Sequence, residues 1–422
     1  MIREFIGFIN ESPCAYGACE SVKETLLENG YEELKSQKLE KGKKYLLTRN
    51  DTSIIAFNIG KKLKNPSLHI CASHTDTPCF KLKQNPVHKD GKCIKLNVET
   101  YGGIMLRSWI DRPLGIAGRV VVNEDDKVTG RILIDKDPLC IIPSLAMHLN
   151  REGDNAKMNI PADITPIVSL KDDFDFEEYL SKKLKVKKKD ILSHDLYLYP
   201  IEKASLWGNK EFVTGNHLDN FSSVFASLMG FIDNFNDDNI NVFCAFDNEE
   251  VGSSTAQGAG SDMLEMSLHK ICEDLKLDYY NLLNQGFFAS FDVAQGYHPN
   301  HPEVYDTDNV CHLNKGICVK FSSNMAYSSD SMSYALFKKI LDRNDIPYQT
   351  YTNKTGIRGG GTLARYVNAR TSILSIDIGI PVWSMHSSME TCGASDIETS
   401  ISAMSAFYSA HLSVDEDKKY II

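Results

Sequence analysis

The sequence predicts an α/β fold: a three-layer α/β/α sandwich with a mostly parallel central sheet, interrupted by an inserted β-rich domain. After Trp207, segments with helical apolar spacing alternate with short apolar strands, which is typical of a parallel sheet covered by helices. Between Phe80 and Glu202, pieces rich in glycine, valine and isoleucine alternate with turn residues and show little helical periodicity. This stretch therefore interrupts one α/β domain.

The elements follow in a clear order. Roughly Met1–Leu34 has helical spacing, broken at Ser12-Pro13. The strands "KYLLTRN", "SIIAFNIG" and "SLHICASH" come next, and the last is apolar enough for the centre of a sheet. After the β-rich unit, helices and strands alternate: "DNFSSVFASLMGFIDNF", "NVFCAFD", "SDMLEMSLHKICEDL", "FFASFDVAQ", "SMSYALFKKILDRN", "TSILSIDIGI" and "ETSISAMSAFYSAHLS". We expect residues 1–79 and 203–422 to form one domain and residues 80–202 the insertion.

Composition excludes several classes of function. The 422 residues carry 46 basic and 56 acidic side chains, a net charge of −10, which argues against a nucleic-acid partner. No apolar run is long enough to cross a membrane, and the first residues lack the zones of a signal peptide. The eleven cysteines are scattered singly, which indicates reduced thiols. The expected location is cytoplasmic, with no membrane partner.

Histidines and carboxylates stand at the ends of several predicted elements. In open α/β sheets, ligands bind outside the carboxyl ends of the strands. Five distant segments therefore direct imidazole or carboxylate groups toward one edge, and their polar residues are His74, Asp76, Asp219, Glu249, Glu250, Asp292 and His386.

Each of these residues also has an ordinary structural interpretation. An isolated aspartate such as Asp219 at a helix start is usually an N-cap. His74 or His386 alone is usually a hydrogen-bonded histidine, and Asp292 alone would hold a turn. A single site explains all of them together more simply than separate structural roles at one sheet edge.

Two histidines with three carboxylates suit a pair of metal ions. Zinc accepts imidazole nitrogen and carboxylate oxygen, and one carboxylate can bridge two ions that share a water molecule. A neighbouring carboxylate that binds no metal then takes the proton of that water. Glu249 and Glu250 are adjacent and project differently, so one can serve the water and the other a metal. Asp76 lies two residues beyond His74 and can orient its imidazole.

The chain resembles the aspartyl aminopeptidases, metallopeptidase family 18. The resemblance covers nearly the whole chain, in family order, through "SHTDTPCFKLK", "YGGIMLRSWIDRPLGIAGRVVV", "DILSHDLYLYP", "HLDNFSSV", "DNEEVGSST", "DVAQGYHPN" and "MHSSMETCGASD". It implies a zinc-aminopeptidase-like fold, Glu249 as general base, Asp76 as the supporting acid beside His74, and Asp219 as the bridge. The metal ligands that it implies are His74, Asp219, Glu250, Asp292 and His386.

The sequence departs from the family pattern at three places. His217 replaces a usual arginine two residues before the bridging aspartate, and Gly17 replaces a histidine after "SP". The loop "NKTGIRGGGT", which contains Lys354–Gly361, replaces a more acidic version. None of these changes removes a ligand or the base, so they bear on substrate preference.

Substrate contacts are expected from four residues. The resemblance implies contacts from His148 and Lys320, and Tyr327 and Gly360 are further candidates. A lysine ammonium at the site favours an N-terminal Asp or Glu, although Lys320 would equally serve as a strand lysine whose stem is buried. His148 lies in the insertion and would reach the site of a neighbouring subunit. Members of the family assemble as tetrahedral dodecamers built from dimers, with the insertion at the interface.

The leading hypothesis is an aminopeptidase with two zinc ions per subunit, for which Co²⁺ or Mn²⁺ are possible substitutes. It would remove N-terminal residues, acidic ones first, from peptide substrates through a metal-bound hydroxide, with Glu249 as the base. A co-catalytic metal amidohydrolase acting on N-acyl amino acids would use the same groups. A shell-forming binding protein with a vestigial site is the third possibility, and metal analysis separates it from both enzymes.

Overall fold

The computed structural model describes residues 1–91, 93–150, 157–171, 173–232, 234, 236–415 and 419–422. Two helices open the chain, and their junction lies at the predicted break near Ser12-Pro13. The helices are α1 (Ile2–Glu11), α2 (Ala15–Glu28), α3 (Ile160–Asp163), α4 (Phe176–Leu184), α5 (Leu218–Ile232), α6 (Met263–Leu275), α7 (Tyr279–Asn284), α8 (Ser331–Asp342), α9 (Ala364–Thr371) and α10 (Ala394–Ser409).

A nine-stranded sheet forms the centre of the molecule. In spatial order its strands are β1 (Glu32–Glu33), β2 (Lys44–Arg49), β3 (Ser53–Ile59), β13 (Asn239–Phe246), β4 (Ser67–His74), β14 (Gly286–Phe291), β18 (Leu374–Gly379), β16 (Ile317–Phe321) and β17 (Tyr348–Thr352). Neighbouring strands are antiparallel at β2–β3, β3–β13 and β18–β16 and parallel at the other five junctions. The mixed α/β fold is confirmed.

The central strands are buried on both faces. Every residue of β4 and β13 is buried, as their apolar sequences predict for interior parallel strands. Side chains alternate along β13: Phe243 joins an apolar cluster that contains α5 and α10, whereas Val242 and Cys244 join a second cluster that contains α6 and α9. These two clusters favour the predicted three layers, which stay an interpretation.

The β-rich stretch folds into a closed barrel. Its strands, in order around the barrel, are β10 (Ile191–Pro200), β5 (Cys79–Lys89), β6 (Ile94–Tyr101), β9 (Ile167–Ser169), β8 (Lys127–Ile141) and β7 (Pro113–Glu124). Apolar side chains fill its interior, where the rings of Phe80 and Trp109 meet edge to face with centroids 5.2 Å apart. The barrel follows β4 directly and precedes α5. The domain boundaries at residues 79–80 and 202–203 stay a prediction.

A smaller sheet connects two distant parts of the chain. Its strands are β11 (Ser205–Trp207), β12 (Phe212–Gly215), β20 (Glu390–Gly393), β19 (Pro381–Trp383) and β15 (Ala294–Gln295). A separate pair consists of β21 (Ser413–Val414) and β22 (Tyr420–Ile421). Because Gly215 pairs with Glu390, the start of α5 lies beside the loop between β19 and β20.

The cysteines depart from the prediction at one pair. Cys311 and Cys318 form a disulfide, so the expectation of reduced thiols throughout is wrong there. Their spacing of seven residues gave no signal for this pairing. The other nine cysteines are free and buried.

Helix length and hydropathy also bear on membrane contact. Within the described ranges, none of the helices combines the length and apolar character that a membrane span requires.

Candidate metal centre

The metal-ligand candidates meet at the carboxyl ends of adjacent parallel strands. His74 is the last residue of β4, and Asp292 directly follows β14. Glu250 lies in a 3₁₀ turn after β13. Asp219 stands in the first turn of α5, where its backbone is not helical, and the Asp219–Asn220 peptide bond is cis. His386 lies between β19 and β20 with φ of 66°. Residues from five segments thus occupy one place, as the strand ends predicted.

These ligand atoms form two groups that share Asp219. In the first, His74 Nε2 lies 3.4 Å from Asp219 Oδ1 and 3.5 Å from an oxygen of Asp292. In the second, His386 Nε2 lies 3.4 Å from Asp219 Oδ2 and 3.5 Å from an oxygen of Glu250. Each oxygen of the Asp219 carboxylate therefore faces a different histidine.

The donor set fits a pair of zinc ions. Ligands about 2.0–2.2 Å from a tetrahedral ion lie roughly 3.3–3.6 Å from one another, and the four distances above fall in that range. Asp219 Oδ1 is buried, and its contact with His74 Nε2 at 3.4 Å does not have the geometry of a hydrogen bond. A buried carboxylate oxygen that accepts no hydrogen bond is costly, and a cation between it and the imidazole would offset that cost.

The pKa shifts of the histidines and of Glu250 also indicate a site that suits cations. Although burial opposes it, the nearby carboxylates of Asp219, Asp292 and Asp76 raise the pKa of His74 well above its usual value. His386 is only partly buried, and although that burial opposes the shift, its contacts with Asp219 and Glu250 raise its pKa to about 10. Burial and the nearby Asp219 charge raise the pKa of Glu250. The carboxylates around both histidines thus favour positive charge at this site.

Glu249 is placed differently from its neighbour. Among the described residues it belongs to neither ligand group, yet its side chain lines the same cavity. Burial raises the pKa of Glu249 to about 7, although the nearby His74 opposes the shift. A carboxylate with a pKa near neutrality can both accept and return a proton.

Asp76 organises the turn that carries these two glutamates. Its carboxylate accepts hydrogen bonds from the backbone N–H groups of Glu249, at 3.0 Å, and Glu250, at 3.1 Å. The same carboxylate lies 3.4 Å from His74 Nδ1, and the Asp76 carbonyl lies 3.0 Å from that nitrogen. Either contact fixes the imidazole so that Nε2 faces Asp219.

Two supporting groups were not found from the sequence. Glu390 accepts hydrogen bonds from the backbone N–H of Asp219, at 2.8 Å, and of His386, at 2.7 Å. The Gly103 carbonyl lies 2.8 Å from His386 Nδ1. Neither group has a signal in the sequence, because Glu390 binds backbone N–H groups and the other group is itself a backbone carbonyl.

A cavity of about 530 Å³ opens beside the ligands. Lys320, Tyr327 and Gly360 line it, together with Arg365, which the sequence did not suggest. Lys320 is buried and donates to the Val293 carbonyl at 3.1 Å, and its ammonium lies 5.1 Å from the centre of the Tyr327 ring. The described residues that line this cavity do not include His148, which is exposed on a turn after β8.

The three departures from the family pattern lie in different surroundings. Burial lowers the pKa of His217 to about 3, so it is neutral, and its ring lies 5.5 Å from that of Phe221. Gly17 is on α2, and a β-carbon there would lie 3.2 Å from Ile134, so a larger side chain is crowded. In the loop 354–361, a β-carbon on Gly360 would meet open space.

Comparison with known proteins shows extensive similarity. Residues 8–408 match the family described as Aminopeptidase I zinc metalloprotease (M18). "Probable M18 family aminopeptidase 2" of Clostridium novyi (strain NT) is 39% identical over 424 residues, covering 96% of this chain and 98% of the relative. "Aspartyl aminopeptidase 1" of Schizosaccharomyces pombe is 33% identical over 456 residues, covering 98% of this chain and 95% of the relative. The solved dodecamer of S. cerevisiae mApe1 is 26% identical, with a TM-score of 0.86 and 96% coverage of each chain.

Proposed function

The chain belongs to the M18 family of zinc metalloproteases and is a metallo-aminopeptidase, and from this premise we propose how its site works. We propose a centre for two zinc ions per subunit. One would be held by His74, Asp219 and Asp292, and the other by Asp219, Glu250 and His386. The observation that carries this proposal is the division of the Asp219 carboxylate between two histidines, each 3.4 Å away.

Zinc bound there would polarise the peptide carbonyl and make a water molecule more acidic. The remaining chemistry belongs to Glu249. Its carboxylate accepts a proton from the attacking water and returns it to the leaving amine. Asp76 keeps this base in place by binding the backbone N–H of Glu249.

We further propose that the enzyme prefers peptides with an N-terminal Asp or Glu. Lys320 is a buried cation in a cavity that several carboxylates also line, and its ammonium donates a hydrogen bond to the neutral Val293 carbonyl. A substrate carboxylate would give this buried charge an ionic partner. Tyr327 would cover the lysine, and the bare backbone at Gly360 would admit the peptide. The S. pombe relative is named for aspartyl substrates.

An exposed apolar segment of the insertion bears on the assembly of the protein. His148 is flanked by Leu145, Met147 and Leu149, whose side chains are 60–76% exposed. Such an exposed apolar segment is typical of a protein interface and supports an interface role here. We propose that it contacts a second subunit and brings His148 to that subunit's site, within a dimer-based tetrahedral dodecamer. A dodecamer is the state named for S. cerevisiae mApe1. A cytoplasmic location remains part of the proposal.

A panel of free and N-acetylated aminoacyl substrates, assayed with zinc, cobalt or manganese, tests the proposed function. Hydrolysis is expected only with a free α-amine, and fastest for Asp and Glu. Lys320→Met should lower kcat/KM for Asp and Glu substrates and leave it nearly unchanged for Ala or Leu, because only acidic side chains would pair with the ammonium. Turnover of acetylated substrates alone would instead identify an amidohydrolase, and absence of both metal and turnover would identify a binding protein.

A further inference from the structure

The inserted barrel reaches the metal centre through the end of β6, at Tyr101–Gly103. The Tyr101 hydroxyl donates a hydrogen bond to Asp76 Oδ2 at 2.8 Å. It also accepts one from the side-chain amide of Asn248, at 2.8 Å. Gly102 has φ of 70°, and a β-carbon there would lie 3.0 Å from Glu250 Cβ. The barrel is thus in direct contact with the site.

The Tyr101 hydroxyl joins two parts of the site that are far apart in sequence. Asp76 follows β4, and its carboxylate is bound by the backbone of Glu249 and Glu250. Asn248 precedes that pair, in a left-handed conformation with φ of 62°. One hydroxyl therefore binds both the acceptor carboxylate and the turn that donates to it.

Asp76 needs this third donor. Its side chain is 3% exposed, so water cannot easily replace a missing hydrogen bond. Asp76 Oδ2 receives the N–H of Glu250 and the hydroxyl of Tyr101, whereas Oδ1 receives the N–H of Glu249 and faces His74. Without the hydroxyl, rotation of the carboxylate would disturb His74 and the Glu249–Glu250 turn together.

We propose that Tyr101 is a positioning residue of the metal centre, acting through Asp76. Through this hydroxyl the barrel fixes the position of the metal ligand His74 relative to the base Glu249. This inference rests on the proposed metallopeptidase site. It gives the insertion a role within its own subunit, in addition to any role at an interface.

A purely structural role for Tyr101 would depend on its ring. That ring meets the ring of Tyr197 edge to face, with centroids 5.9 Å apart. Tyr101→Phe keeps the ring and removes the hydroxyl, so it separates the two roles. Tyr197→Phe is the matched control, because the Tyr197 hydroxyl makes no hydrogen bond with the described residues.

The test measures zinc affinity by chelator competition, and kcat and KM by peptide hydrolysis. Loss of a group that orients a metal ligand typically costs about 10–100-fold in metal affinity or activity. We expect Tyr101→Phe to weaken zinc binding and lower kcat by that factor with KM nearly constant, and Tyr197→Phe to match the wild type. In an Asp76→Asn background, Tyr101→Phe should have little further effect, because the hydroxyl acts through that carboxylate.

Two results would overturn the proposal. One is that Tyr101→Phe matches Tyr197→Phe in both assays. The other is that the decrease in zinc affinity and kcat caused by Tyr101→Phe simply adds to the decrease caused by Asp76→Asn. The wild-type enzyme in the same assays reports on the proposed function separately. If the wild type bound no zinc and hydrolysed no peptide, the metallopeptidase site itself would be refuted, and the positioning role with it.

Discussion

Replacing Glu249 with glutamine removes the proposed base and little else. Glutamine has nearly the same shape, and the backbone N–H that binds Asp76 is unchanged. Glu249 belongs to neither ligand group of the described residues, so both metal sites keep their ligands. The variant therefore isolates proton transfer from metal binding.

The expected loss follows from the contribution of a general base. Proton transfer by a positioned carboxylate contributes about 10²–10⁴-fold, or roughly 2.7–5.4 kcal/mol of transition-state stabilisation. We expect kcat of Glu249→Gln to fall by that factor while the zinc content stays at the wild-type value. Glu398→Gln, the same change at an exposed position on α10, should leave kcat unaltered.

The pH profile provides an independent readout. Burial raises the pKa of Glu249 to about 7 without metal, and bound cations would lower it by favouring the carboxylate. Wild-type kcat/KM should therefore fall as the pH drops through a value below 7, and the residual activity of Glu249→Gln should lack this limb. A variant with near-normal kcat, or with the wild-type acid limb, would refute the assignment of the base.

Three further predictions follow from the site and its surroundings. The pKa of His386 is raised to about 10 without metal, so this histidine must lose its proton when zinc binds. The affinity for zinc should therefore fall about tenfold per displaced proton for each unit of decreasing pH. Calorimetry at pH 6.5 and 7.5 checks this, and a zinc affinity that does not change with pH would contradict it. Glu390→Ala should weaken zinc binding at least tenfold in chelator competition, because it leaves the backbone N–H groups of Asp219 and His386 without their acceptor. If the variant bound zinc as tightly as the wild type, the glutamate would be dispensable. Gly17→His should destabilise the protein by about 1–3 kcal/mol through crowding against Ile134, measured by urea unfolding. Gly7→His on α1, where a β-carbon meets nothing within 4 Å, is its control, and equal effects would refute crowding as the cause.

The sequence predicted those features that depend on local pattern. Apolar strands such as β4 and β13 can only be interior, and a polar residue at the end of such a strand must lie at the sheet edge. His74 and Asp292 were placed together for this reason. The barrel region was recognised from its lack of helical periodicity, although closure into a barrel depends on pairing between distant strands.

Other features could not be predicted because their signal lies in tertiary contacts. The link from Tyr101 to Asp76 joins positions 25 residues apart across the junction of barrel and sheet. Glu390 acts through backbone N–H groups, which look alike in every sequence. Helix α9 has a weakly amphipathic sequence, "ARYVNART", so its apolar spacing gave no clear indication.

Metal stoichiometry tests the shared role of Asp219 most directly. Zinc bound per chain is to be measured by mass spectrometry after saturation and removal of free metal, in the wild type and in Asp219→Asn. Two ions are expected in the wild type and at most one in the variant, because an asparagine amide offers a single oxygen to two cations. A wild type that retains no more than one ion, or a variant that retains two with unchanged affinity, would contradict the proposed centre.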